Sequence, residues 1–181
     1  MSLSPEDASV GVFVRGLSNL KTQLMKAEAH AAASSMDAAA LLDARLPQGA
    51  LSDARHDLHT YTLSAQVHWA TEGARLAIAR IVGAPAVPVA SDARNFAELH
   101  QRIDATIAHL REITAADLEA GLARTIVVEH RHGTVTADGG RFLLAYAIPH
   151  FFYHVTTAYD ILRSQGVPLT MGDFLGDWGR A

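Results

Sequence analysis

The chain of 181 residues contains no cysteine, which excludes disulfides, cysteine nucleophiles and thiolate metal sites. Aromatic residues make up only 7% although 49% of the chain is hydrophobic, so alanine supplies much of the apolar content. That composition favours helices that pack closely together. No apolar run approaches the ~20 residues of a transmembrane helix, and the first residues lack the basic leader and apolar stretch of a secretory signal. We therefore expect a cytoplasmic protein with no membrane partner.

Charge is also sparse. The formal net charge is -4 with histidine neutral, and the basic residues form no run. Nucleic acid is therefore not an expected partner. The length suits one domain, residues 1–181, with a sizeable core.

Apolar residues recur at helical spacing over four long segments. Ser4 followed by Pro5 is typical of a helix start, and Gly83 and Gly166 are typical helix ends. We predict long helices over residues 4–32, from 52 or 53 to 83, 95–111 and 141–164, with short helices over 37–44 and 114–121. Pro149 lies inside the last helix and predicts a kink, because proline removes a backbone donor and crowds the preceding turn.

A β-hairpin is predicted over residues 124–136, where β-branched residues flank His132-Gly133. The fold class is therefore all-α, a four-helix bundle with a small β-hairpin before the last helix.

Ten histidines are present, and one pair carries the functional interpretation. His150 and His154 lie four positions apart on an apolar helix, so both rings occupy one face and could share a metal ion. A third ligand is expected from the second long helix, where His68 and His59 compete. Helical phase favours His59, because His68 points away from the apolar stripe by more than a quarter turn. The alternative is that both rings are buried hydrogen-bonding groups without a metal.

Several segments together resemble the DUF1993 family, which belongs with the DinB/YfiT-like metalloenzymes. They are Ser2-Leu3-Ser4, Phe96-Ala97-Glu98-Leu99, the run from Pro149 to Arg163, and Gly166-Val167-Pro168-Leu169. The resemblance implies a DinB-like bundle, usually dimeric, with one metal at an end of the core. In the wider superfamily one histidine comes from the second helix and two from the last, which implies His68, His150 and His154. The family usually has asparagine at the position of His150 and often glutamine at that of His68, whereas this chain has histidine at both.

Two functions follow as hypotheses. In the first, a divalent ion (zinc, nickel or iron) on His150, His154 and either His68 or His59 activates water or a small thiol for hydrolysis or transfer. In the second, the chain is a non-catalytic, dimeric small-molecule-binding or stress-related accessory protein with no metal.

A homodimer is expected because the last helix is apolar on more faces than one bundle interior needs. The residues concerned are Phe151, Phe152, Val155, Tyr159 and Leu162. The alternative is that the first helix and the C-terminal tail cover the surplus. In that tail, Phe174, Leu175 and Trp178 are expected to fold back onto the bundle.

Overall fold

A computed structural model describes residues 4–46, 61–85, 89, 93–130 and 133–177. The helices before the hairpin are α1 (Pro5–Ala8), α2 (Val10–Ala33), α3 (Ala38–Asp43), α4 (Leu63–Val82), α5 (Phe96–Arg111) and α6 (Ala115–Leu122). The antiparallel strands β1 (Thr125–His130) and β2 (Gly133–Asp138) follow, then α7 (Gly139–Phe142), a π-helical segment (Leu143–Ala147), α8 (Ile148–Ser164) and α9 (Met171–Leu175). The long helices α2, α4, α5 and α8 form the predicted bundle. Among the helices in these ranges, none combines the length and the hydropathy that a membrane-spanning segment requires.

The core forms where the apolar stripes of the long helices meet. The Phe13 and Phe151 rings of α2 and α8 pack edge to face with centroids 5.1 Å apart, and both side chains are fully buried. Gly16 permits this approach, because a Cβ at that position would lie only 2.5 Å from Cε1 of Phe151. The α2–α8 contact therefore depends on the small size of Gly16 as well as on the packing of the Phe13 and Phe151 rings.

The first predicted helix is interrupted. Ser4 caps α1 through reciprocal hydrogen bonds with Asp7, as its sequence indicates. Ser9 then leaves helical geometry (φ -126°, ψ -89°), and α2 begins at Val10. The buried Ser9 hydroxyl donates to the Pro5 carbonyl, which satisfies it inside the break.

The predicted start of the second long helix near residue 52 is wrong. Thr62 is extended (φ -60°, ψ 163°), and its hydroxyl accepts a hydrogen bond from the Ala65 amide at 3.2 Å. Thr62 is therefore the N-cap of α4, which begins at Leu63. The phase argument that favoured His59 assumed a helix continuous through this position, so it fails. His59 itself lies outside the described residues. Gly83 ends α4 in the left-handed region (φ 74°), as predicted.

The predicted hairpin is confirmed and is longer than expected. Thr125 pairs with Asp138 at one end and His130 with Gly133 at the other. Asp138 also caps the next helix, because its carboxylate accepts from the Arg141 amide at 2.7 Å. One residue thus ends β2 and starts the helical run that leads to α8.

Pro149 occupies the first turn of α8, and the irregularity expected there takes the form of a π turn. The Ile148 amide bonds the Leu143 carbonyl, five residues back instead of four. Pro149 has no amide hydrogen and its ring crowds the preceding turn, so a wider turn relieves the steric conflict.

The tail returns to the bundle, as predicted for Phe174. The side-chain amide of Asn19 donates to the Phe174 carbonyl at 3.0 Å, and the side-chain amide of Gln23 donates to the Asp173 carbonyl at 3.1 Å. These bonds dock α9 on α2. Trp178, expected to join this contact, lies outside the described residues.

The surplus apolar surface of the last helix is largely covered within one chain. Phe151, Val155 and Leu162 are buried in the core. Phe152 and Tyr159 contact the Phe174 ring of α9, with centroids 6.4 and 5.5 Å apart. The apolar faces of α8 therefore do not argue for a dimer, and homodimer formation stays a prediction.

Candidate functional site

The two histidines of α8 lie on the face that packs against α4. The His150 and His154 ring centroids are 4.7 Å apart, and the rings are inclined at 72°. The four-residue spacing therefore brings the rings together as the sequence indicates.

His154 is the buried member of the pair, with 4% of its surface exposed. Its Nδ1 lies 2.7 Å from Oε1 of Gln66 on α4. An amide oxygen only accepts, so Nδ1 carries the proton and donates, and Nε2 holds the lone pair. Sequence reasoning missed Gln66. A signal was present, because Gln66 lies on the same helical face as Leu63 and Ala70 and so had to be buried with a partner.

His150 rests against the backbone of α4. A Cβ on Gly73 would lie 3.1 Å from Nδ1 of His150, so the glycine leaves the space that the ring uses. The Tyr146 ring stacks on the His150 ring, with centroids 5.5 Å apart and planes inclined at 19°. The ring thus has a defined position between α4 and the π-helical segment.

His68 occupies a different face of α4. By helical spacing it belongs with Thr71, Glu72 and Arg75, whereas Gln66 faces His154. The Trp69 indole contacts both rings, with its centroid 5.1 Å from that of His68 and 6.4 Å from that of His154. Nδ1 of His68 is buried and finds no hydrogen-bond partner among the described residues.

Burial lowers the pKa of all three histidines. For His154 the pKa falls from 6.5 to about 4, because burial disfavours the charged ring and the His150 and His68 rings would repel it. Burial also lowers the pKa of His150. For His68, burial and the Arg102 charge lower the pKa against an opposing effect of Glu72. All three rings therefore favour the neutral form at pH 7, the form in which imidazole binds a metal.

Two of the three predicted ligands, His150 and His154, are placed so that they could bind one metal ion. His150 and His154 are adjacent and neutral, and Gln66 holds the second ring as outer partners of metal ligands commonly do. Over the part of the chain that the structure covers, no three His, Asp or Glu side chains converge closely enough to hold one ion. The structure therefore does not bring His68 together with the pair as a third ligand, and the alternative, His59, lies outside the described residues.

Aromatic side chains form a rim around the pair. Tyr61 lies just before α4 and Trp69 lies in α4, while Tyr146 and Tyr153 come from the π-helical segment and α8. Each is at least one-third exposed. The histidine pair thus lies under a partly hydrated aromatic surface.

Comparison with known proteins decides the family. The profile described as "Domain of unknown function (DUF1993)" matches residues 6–175. The chain belongs to the DUF1993 family. A crystal structure of a DinB family member protein from Shewanella denitrificans is 31% identical, and the match covers 97% of this chain and 93% of that chain with a TM-score of 0.83. A search of curated proteins finds no match. The predicted resemblance and the DinB-like fold of this DUF1993 chain are thereby confirmed.

Proposed function

We propose that this protein is a metal-dependent enzyme in which His150 and His154 bind one divalent cation, zinc, nickel or iron. The observation that carries the proposal is the hydrogen bond from His154 Nδ1 to Gln66. It fixes the ring as the tautomer whose Nε2 lone pair is available, beside a second neutral imidazole. His68 is the preferred third ligand because its Nδ1 is buried without a partner within the described chain.

The residues around the pair have separate roles in this proposal. Gln66 orients His154, and Tyr146 stacks on His150 and limits its rotation. Tyr61 and Trp69 lie beside His154 and restrict access of water to it. A bound ion would supply Lewis acidity and a more acidic water or thiol, which suits hydrolysis or thiol transfer.

Metal binding tests the proposal directly. Tag-free protein is stripped with a chelator, and uptake of zinc and of nickel is measured by calorimetry and elemental analysis. We expect one ion per chain, lost in His150→Gln and His154→Gln and kept in the control His109→Gln, which removes an exposed histidine. Loss in His68→Gln or in His59→Gln identifies the third ligand. Uptake well below one ion per chain in the unaltered protein would end the metal proposal.

Catalysis needs its own measurement. The metal-loaded chain is assayed with an activated ester and with a thiol donor and acceptor pair, and the stripped chain is the control. Turnover that appears with the ion and disappears in His154→Gln supports an enzyme. An ion that binds without turnover of either class would contradict hydrolysis and thiol transfer.

The second candidate is a non-catalytic small-molecule-binding accessory protein, favoured by a specific observation. The bond to Gln66 already satisfies the buried Nδ1 donor of His154, so this ring has a partner without a metal. Under this reading, His150→Asn leaves ligand binding unchanged. A homodimer is proposed for either function, and light scattering at low concentration tests it.

A further inference from the structure

The aromatic rim around the histidine pair gathers every exposed aromatic side chain in the described part of the chain. Its members are Tyr61, Trp69, Tyr146 and Tyr153, and their exposed fractions range from 36% for Trp69 to 61% for Tyr153. The six phenylalanines and Tyr159 are buried or half-buried. Exposed aromatic surface concentrated in one place is a mark of a binding site, whereas single exposed apolar residues are ordinary.

The rings form two stacks that meet at the histidine pair. The Trp69 indole is inclined at only 25° to the His154 ring, and the Tyr146 ring at only 19° to the His150 ring. The two imidazoles are themselves inclined at 72°. Each imidazole therefore has one exposed aromatic side chain stacked on it, which holds the ring faces of the rim in fixed orientations.

Three of the exposed rings converge on His154. The centroids of Tyr61, Trp69 and Tyr153 lie 6.3, 6.4 and 5.1 Å from that of the His154 ring. Tyr153 meets this ring edge to face at 83°, and Tyr61 is tilted at 42° to Trp69 with centroids 6.0 Å apart. A molecule that approaches the buried imidazole therefore meets flat aromatic surface first.

The two segments that carry the rim contain no charged side chain. Residues 61–71 and 142–159 include no Asp, Glu, Lys or Arg. Glu72 and Arg102, which are opposite in charge, act on His68. The described rim therefore offers ring faces and phenol and indole donors, but no fixed charge that would hold an anion or a cation. Its chemistry matches an uncharged ligand with a flat apolar face.

We propose that the aromatic rim binds an uncharged, planar aromatic group of the substrate, stacked on Trp69 and flanked by Tyr61 and Tyr153. Aromatic rings prefer offset-stacked and edge-to-face contacts, and the differently inclined rings of the rim offer both. A reactive substituent on the bound ring would lie beside the histidine pair. The inference rests on the proposed function where it names the substrate class, an aryl ester or an aryl-substituted thiol acceptor. Binding of the aromatic group itself requires no metal.

The indole N–H resonance of Trp69 reports directly on the rim. The chain has two tryptophans, so Trp178→Phe leaves Trp69 as the single indole in isotopically labelled protein stripped with a chelator. Benzamide is the uncharged aromatic probe, and cyclohexanecarboxamide carries the same amide on a saturated ring. We expect a saturable shift with benzamide and much weaker binding of the saturated probe. No saturable shift with benzamide, equal affinity for the two probes, or saturation only with the charged probes benzoate and benzyltrimethylammonium would overturn the proposal.

This result is separable from that of the metal proposal. The stripped chain is used, so failure of metal binding leaves the benzamide titration unaffected. Conversely, a chain that binds one ion but not benzamide would keep the metal proposal and lose this one.

Variants of Tyr153 separate ring stacking from other contacts. Tyr153→Leu should weaken benzamide binding roughly two- to tenfold, whereas Tyr153→Phe keeps the ring and should bind as the unaltered chain does. Tyr153 is exposed, so neither change removes a core contact. The matched control is Met25→Ala, which removes an exposed apolar side chain of α2. Equal weakening in Tyr153→Phe or in Met25→Ala would contradict stacking on the rim. A Trp69 resonance that moves on dilution of the free protein and ignores benzamide would assign the rim to contact between two copies of the chain, against the proposal.

Discussion

Acid should destabilise the folded chain through His154, and the His154→Gln variant isolates the effect. The pKa of His154 is about 4 in the folded protein, against its ordinary value of 6.5. As the pH falls below 6.5 the unfolded chain takes up this proton first, so the free energy of unfolding decreases. The contribution of His154 is complete above pH 6.5 and is lost as the pH falls toward about 4.

The magnitude follows from that pKa difference. Each pH unit between the two pKa values changes the free energy of unfolding by about 1.4 kcal/mol. Between pH 7 and pH 4.5, His154 should therefore account for a loss of roughly 2–3 kcal/mol, which is large against a total stability of about 5–15 kcal/mol. Its near-complete burial removes the solvent screening that would reduce this figure.

Urea unfolding at pH 7, 6, 5 and 4.5 measures the effect. Glutamine has no titratable group and can still form an amide contact with Gln66, so His154→Gln should lose roughly 2–3 kcal/mol less than the unaltered chain between pH 7 and pH 4.5. Carboxylates titrate in both proteins and cancel in the comparison. Equal losses in the two proteins would refute the argument that His154 is held neutral by burial.

Two further substitutions probe the positions on which the site depends. Gly16→Ala should lower the free energy of unfolding by about 1–3 kcal/mol in urea titrations, because the new methyl group would overlap the Phe151 ring; an unchanged midpoint would contradict the close α2–α8 contact. Thr62→Ala should lower it by about 1 kcal/mol through loss of the cap at Ala65, while Thr62→Ser, which keeps the hydroxyl, should not; equal behaviour of the two variants would exclude Thr62 as the cap.

Sequence patterns predicted the long helices and the hairpin well because both depend on local chemistry. β-branched residues around a glycine indicate a hairpin without tertiary information, and Gly83 ends α4 for a local conformational reason. The start of α4 was harder to locate. Residues 52–60 can be fitted to a helical stripe, but the short-range cap at Thr62 takes precedence.

The part of the site that lies within one helix could be predicted, and the part that depends on packing between helices could not. His150 and His154 share one helix, so their spacing fixes their relation. The partner from α4 depends on how two helices are rotated against each other, and spacing along one chain does not specify that rotation. Gln66 contacts His154. His68, the third ligand implied by the resemblance, lies two positions further along α4 and therefore on a different face of that helix.

The π turn at Leu143–Ala147 sets the angular position of everything that follows it. It accommodates one more residue than a regular helical turn would. If the same residues were wound as a regular α-helix without this wide turn, the helix after it would be rotated by about 100° relative to the hairpin, since an α-helix has 3.6 residues per turn. His150 and His154 would then be directed away from α4. A local irregularity of one residue thus determines which face of α8 is turned toward α4.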